Sequence, residues 1–138
     1  MANPLYPHLV RGTVGELLTQ IRLLQFDVQA APPLEDSGND LIAIRHKTIK
    51  TIQVKTRTAD KLQIGKLPEF YDLLAVVLLS GTDWNLFLDD SNIYLIPRDK
   101  VETALQDKEV LNKFLLRDDL VNEIFGARHW ESYGPLAT

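Results

Sequence analysis

The sequence has no cysteine among its 138 residues. That absence excludes disulfide scaffolds, thiolate metal centres and cysteine nucleophiles together, and it restricts any metal site to harder ligands. A cysteine-free chain suits a reducing, cytoplasmic setting, and that is the expected location. Glycine and proline are scarce, with 7 of each, as in an ordinary globular chain and unlike a disordered or collagenous one. No Gly-rich phosphate loop of the form GxGxxG or GxxxxGKS/T occurs. Long hydrophobic runs are missing as well. The longest, Leu73 to Leu79, is far too short to span a bilayer. Residues 1–10 lack a basic stretch followed by a long apolar one, so neither a signal peptide nor a membrane partner is expected. His8, His46 and His129 are scattered without ligand spacing and read as ordinary packed or surface residues.

What is present is globular: 45% hydrophobic and 25% charged residues, in a length that suits one domain with a core of its own. The net charge of −4 argues at first sight against a nucleic-acid partner. Its distribution reverses the argument. Residues 45–66 hold Arg45, Lys47, Lys50, Lys55, Arg57, Lys61 and Lys66 against Asp60 alone, a local +6 between flanks of −3 and −7. A compact basic segment in an acidic chain marks an anionic partner or, alternatively, a lysine-protected hairpin edge.

The first ten residues, with Pro4 and Pro7, read as an irregular arm. Thr13-Val14-Gly15-Glu16 fits a capping box, and Val14, Leu17, Leu18, Ile21 and Leu24 keep helical spacing, so a helix is expected over 13–25. Residues 26–30 suit a short strand stopped by Pro32-Pro33. Residues 40–45 and 50–58 are β-rich around His46-Lys47-Thr48-Ile49 and suit an antiparallel hairpin with Asp40 roughly opposite Lys55. Gln53 and Lys55 then share one face, while Ile52 and Val54 point to the core. Residues 73–79 read as a strand covered on both faces. Residues 84–88 and 93–96 read as a second hairpin turning at Asp89-Asp90-Ser91-Asn92, with Trp84 and Trp130 in a core or interface. Helices are expected from Pro97 and over about 109–125, the latter broken near Arg117-Asp118 and stopped by Gly126. The order implies an α/β or α+β domain with a mixed sheet.

The chemistry-bearing residues that remain are Glu16, Asp40 and Gln53-Val54-Lys55. A hard divalent cation takes oxygen ligands. The Asp40 carboxylate, the Gln53 amide oxygen and the Val54 carbonyl supply three, and Glu16 reaches the same metal or its water shell. Lys55 beside them orients a water and offsets charge on a phosphate. Each residue also has a plainer role: Glu16 as the third helical residue of the capping box, Asp40 as a turn cap, and Gln53 with Lys55 as a polar hairpin face.

The segment from Ser37 to Ile44, followed after a short turn by Ile52-Gln53-Val54-Lys55-Thr56-Arg57, resembles the core of the PD-(D/E)XK nuclease superfamily over residues 10–105. The helix bearing Glu16 and the apolar strand after 72 follow that superfamily's order. The resemblance implies a single restriction-endonuclease-like α/β domain, a mixed central β-sheet flanked by helices, with C-terminal helices and a tail over 106–138. It implies a metal-dependent DNA endonuclease using Mg²⁺, with Mn²⁺ as a substitute. Asp40 matches the metal-binding aspartate, Gln53 the second acidic position, Lys55 the catalytic lysine and Glu16 the first-helix glutamate. Asn39 stands where the namesake motif has proline. Gln53 replaces an acid, as in the cyanobacterial group I intron homing endonuclease branch, whose Asp…Gln-x-Lys pattern and size this chain is similar to. The expected roles are therefore Glu16, Asp40, Gln53 and Lys55 in catalysis, and Asp40, Gln53, Val54 and Glu16 at the metal. Lys47, Lys50, Arg57, Lys61 and Lys66 are expected on the DNA backbone, in a homodimer or higher oligomer. A Holliday-junction resolvase-like nuclease and a silent binding module on the same fold are the alternatives.

Overall fold

A computed structural model describes residues 6–35, 38–58 and 63–128. Pro7 opens the first helix, α1 (Pro7–Gln25), at a first-turn position where its missing N–H costs nothing. This corrects two expectations. The arm is helical from Pro7, and Thr13 and Glu16 lie inside the helix rather than at its cap. The apolar face of α1 is long enough to carry the helix back past the polar signal at Thr13. Its end is marked by Asp27 in the left-handed region at φ 64°, with the Val28 N–H folded back onto the Leu23 carbonyl.

Five strands follow: β1 (Gln29–Ala31), β2 (Leu41–Arg45), β3 (Thr48–Thr58), β4 (Leu73–Thr82) and β5 (Asn85–Pro97). They pair in sequence order, with β3–β4 parallel and the other neighbours antiparallel. The sheet is mixed, as expected. β2 and β3 join through a two-residue turn, with Arg45 paired to Thr48 and His46 at φ 53°. The tight turn moves the register by two residues from the expected one, so Leu41 pairs with Ile52 and Asp40 meets Gln53 rather than Lys55. A shift of two leaves every side chain on its expected face, and Ile52 and Val54 are buried.

The second hairpin turns at Asp83-Trp84, since Thr82 pairs with Asn85, and not at residues 89–92. β5 is one long strand that absorbs the polar stretch as a bulge opposite Leu79. The Ser91 hydroxyl holds the bulge by accepting from the Ser80 N–H at 3.0 Å and donating to the Phe87 carbonyl at 3.0 Å. Trp84 at the turn is exposed rather than buried, while Trp130 and His129 lie outside the described residues.

A short 3-10 turn (Arg98–Lys100) leads into α2 (Val101–Gln106), α3 (Lys108–Asn112) and α4 (Asp118–Phe125). The chain breaks between α3 and α4 near the expected Arg117-Asp118, and Gly126 ends α4 at φ 89°. The layers follow from the alternation of the strands. Ile52, Val54, Leu73, Ala75 and Val77 meet Leu18 and Leu23 of α1 and Leu120, Val121 and Phe125 of α4 on one face. Leu74, Val76 and Ile96 meet Val101, Ala104 and Leu111 on the other. β4 is buried from Leu73 to Val77, the doubly covered strand read from its unbroken apolar run.

One member of the basic segment belongs to this core. Arg45 is 2% exposed, and its Nη1 donates to Asn122 Oδ1 and to the Gly126 carbonyl, both at 2.7 Å. It fastens the end of α4 to β2. Burial draws its pKa down, Arg128 adds to that, and Asp27 and Asp118 oppose it.

Candidate functional site

α1 crosses β3 at Gly15. A Cβ there would stand 1.8 Å from Thr56 Oγ1, so any side chain at 15 would force the helix off the strand. The buried Thr19 hydroxyl donates to the Gly15 carbonyl at 2.8 Å one turn on. This close crossing brings Glu16 down beside the second half of β3.

That half of β3 has lost one neighbour. β2 pairs with Thr48 to Ile52 only, while β3 runs on to Thr58 paired with β4 alone. The last contact across to β2 is the Asp40 N–H on the Ile52 carbonyl at 3.1 Å. Beyond it the Asp40 side chain takes the place of a strand: Oδ2 accepts from the Val54 N–H at 2.8 Å and from Gln53 Nε2 at 2.8 Å. A strand residue sends its N–H and C=O toward the same neighbour, so the Val54 carbonyl lies on the edge that β2 vacates. Asn39, the residue before Asp40, donates from Nδ2 to the Phe70 carbonyl at 3.2 Å and anchors the turn that delivers Asp40.

Glu16 faces the same place. Its carboxyl pKa is raised, first by burial and then by the negative charge of Asp40. Two carboxyl groups near enough to feel each other's charge create a local demand for positive charge. Gln53 adds a second sign of an incomplete site: its Oε1 is buried with no hydrogen-bond partner, and an orphaned buried acceptor calls for an explanation. A hard divalent cation is bound through oxygen lone pairs, which the carboxylates, the Gln53 Oε1 and the Val54 carbonyl offer. Among the described residues there is no group of three His, Cys, Asp or Glu side chains placed for a metal; here two carboxyls are completed by an amide and a backbone carbonyl.

Val54 joins this edge to a cleft of about 620 Å³ lined also by His8, Arg11, Gly12, Glu16, Lys55, Thr56, Arg57 and Thr58. Lys55 is half-buried and makes no ion pair with a described residue. Four of the expected residues, Glu16, Val54, Lys55 and Arg57, therefore line one cleft, and Asp40 with Gln53 borders it through Val54.

The expected backbone-binding set is divided. Arg57 is engaged locally, Nε donating to the Gln63 carbonyl at 2.6 Å and Nη1 to the Thr56 carbonyl at 2.7 Å. Lys47 sits on the β2–β3 turn. Lys50 lines a different cavity of about 660 Å³ with Tyr71, Asp72, Arg98 and Lys100, five strand residues or roughly 17 Å from Lys55. Lys66 is exposed on the connection into β4, and Lys61 lies outside the described residues. The cleft takes two side chains from α1 instead, His8 and Arg11. His8 and Arg11 lie in and beside the stretch read as an arm, and reading Pro7 as a first helical residue would have placed them about two and about one and a half turns before Glu16. Arg11 is paired with Asp83 of the second hairpin.

No protein-family model, no curated protein and no solved structure matches this chain. Among the described residues, no helix is long and apolar enough to cross a membrane.

Proposed function

We propose that the chain is a divalent-metal-dependent endodeoxyribonuclease of the PD-(D/E)XK kind, hydrolysing phosphodiester bonds of DNA. The observation that carries this reading is the Asp40–Gln53–Val54 contact, formed where β2 ends, beside Glu16 and next to a cleft lined by Lys55. Asp40, Gln53 through Oε1 and Val54 through its carbonyl would hold Mg²⁺ or Mn²⁺, with Glu16 binding the ion or one of its waters. Such an ion supplies Lewis acidity at the phosphate and lowers the pKa of a bound water.

The chain's own residues do the rest. Lys55, with no competing carboxylate among the described residues, orients the attacking water and offsets the charge that grows on the phosphate oxygens. The water oxygen bonds to phosphorus as the bridging P–O bond breaks, and the leaving oxygen takes up a proton from solvent. Glu16 completes the negative pocket and accepts a proton from the water shell. His8 and Arg11 hold the phosphodiester backbone in the cleft, contacts that position without reading sequence. Two strand breaks in a duplex need two such sites, which a homodimer provides.

The test is cleavage of supercoiled plasmid and of a branched junction with Mg²⁺ by the wild type and by Asp40→Ala and Lys55→Ala. The wild type cuts and both variants lose activity. Equal cutting by all three would overturn the assignment, and preference for the junction would make the enzyme resolvase-like. One observation favours a silent binding module: Gln53 Nε2 and the Val54 N–H already satisfy Asp40 Oδ2 without any ion. DNA binding that weakens steeply with salt, without any cleavage or Mn²⁺ binding, would select that reading.

A further inference from the structure

The outer face of α1 is apolar where a solvent face should be polar. Gly15, Leu18, Thr19 and Leu23 are buried against the sheet, yet Leu17, Ile21 and Leu24 on the opposite side are 51%, 57% and 63% exposed. With the half-buried Val10 and with Val14, which also packs against the core, they follow a seven-residue repeat. Val14 and Ile21 fall at one core position of the heptad, and Val10, Leu17 and Leu24 at the other. β-branched residues at the first, with leucine at two of the three second positions, approach the combination that favours two-stranded helix pairing.

Two further features point to a copy of this same chain as the occupant. In a two-fold contact each residue meets its own counterpart or near neighbour, so a charged patch would repel itself. Thr13, Leu17, Gln20, Ile21 and Leu24 carry no charge, although a quarter of the chain is charged, and the charges flanking them are Arg11, held by Asp83, and Glu16 at the cleft. The area is also sufficient. Tyr6, Leu9, Leu17, Ile21 and Leu24 present roughly 500 Å² of apolar side chain, at the upper end of what monomers expose. The second hairpin is fastened to the same helix by Arg11–Asp83 and by Arg22 Nη2 on the Leu88 carbonyl at 2.8 Å. Its exposed Trp84, Phe87 and Leu88 bring the total to roughly 800 Å², the share each partner gives to a standard interface.

We propose that the outer stripe of α1, centred on Leu17, is the surface through which two copies of this chain pair. His8 and Gly12, which line the cleft, lie across α1 from Leu17 and Ile21, with Glu16 between the two sides, so pairing centred on Leu17 and Ile21 leaves both clefts open. The inference does not rest on the nuclease reading: it holds whether or not the cleft is catalytic.

The test is sedimentation of the full chain without DNA or metal, together with cross-linking. The wild type sediments at twice the chain mass. A Leu17→Arg, Ile21→Arg double variant sediments at the single-chain mass with unchanged far-ultraviolet circular dichroism. Because the chain has no cysteine, Leu17→Cys gives a clean probe: mild oxidation links it into covalent dimers, while Glu102→Cys on exposed α2 stays single. If the double variant fails to fold, this comparison decides alone. A monomeric wild type across the dilution series, a dimer that persists in a folded double variant, or equal cross-linking at 17 and 102 would each overturn the proposal. So would a monomer that binds phosphatidylcholine vesicles through the stripe. Asp40→Ala remains dimeric, which separates this result from any failure of catalysis.

Discussion

β3 has two aspartates beside it that perform the same backbone task with different consequences. Before β4 begins, the Asp72 carboxylate accepts from the Thr51 N–H at 2.8 Å and from the Thr51 hydroxyl at 3.3 Å, while the Asp72 N–H donates to the Thr51 carbonyl at 3.2 Å. After β2 ends, the Asp40 carboxylate accepts from the Val54 N–H and the Gln53 amide. Each side chain replaces a missing strand. Asp72 does so in an exposed position where its neighbours are satisfied. Asp40 does so in a half-buried position, facing a second carboxyl and an amide whose oxygen has no partner. A carboxylate that only mends a sheet edge leaves nothing over. The proposed chemistry is placed at the edge where something is left over.

The largest expected effect sharpens that contrast. Asp40→Ala lowers DNA cleavage by more than about 100-fold, because it removes a ligand rather than an outer-shell partner. Asp72→Ala leaves cleavage within about threefold while costing about 1 kcal/mol of stability for the lost hydrogen bonds. Parallel measurement of initial cleavage rates and urea midpoints separates the two. Equal loss of activity in both would erase the distinction.

The next effect concerns what positions the Asp40 end of the strand. Gly15→Ala destabilises the fold by about 1–3 kcal/mol through the clash with Thr56, despite the roughly 1 kcal/mol that alanine gains over glycine in a helix. It also slows cleavage, since the displaced helix carries Glu16. Adding Thr56→Ala restores part of both, because it removes the Oγ1 and Cγ2 atoms the new methyl meets. Denaturation and cleavage of the single and double variants check this, and simple additivity would mean that α1 does not rest on β3 at that point.

How much of this was legible in the sequence depends on the kind of signal. Periodicity placed α1, β4 and the faces of β3, because burial of apolar residues decides them. The alternation of Gln53, Val54 and Lys55 survived a two-residue error in register for the same reason. The turns were less legible. His46 occupies a left-handed position with no glycine to announce it, and the polar run Asp89 to Asn92 became a bulge because Ser91 could satisfy both sides. The start of α1 was hidden by a capping pattern at Thr13 that the structure does not use. Of the candidate site, the meeting of Asp40 with the Gln53-Val54 stretch was readable from hairpin spacing. That His8 and Arg11 line the cleft was not, since it depends on where α1 begins.

The smallest expected effect is on pH dependence. A carboxyl whose pKa is raised in the folded state, as Glu16 is by burial and Asp40, binds its proton more tightly folded than unfolded. Its charged form therefore lowers stability above the folded pKa, and that penalty fades as pH falls through the folded value toward the ordinary glutamate range near 4.5. Glu16→Gln raises the melting temperature slightly at pH 7 without metal, and the difference from wild type vanishes at low pH. Thermal melts across that range would show it, and a difference that grew on acidification would reverse the assignment.

On the proposed reading the Asp40 end of β3 holds a divalent cation. Crystals grown with Mn²⁺ test this most directly, through anomalous density at the Asp40–Gln53 contact. The expected result is one strong peak bonded to the Asp40 carboxylate and the Gln53 Oε1, absent in crystals of Asp40→Ala. An unaltered hydrogen bond from Gln53 Nε2 to Asp40, with no peak beside Glu16 or the Val54 carbonyl, would contradict it.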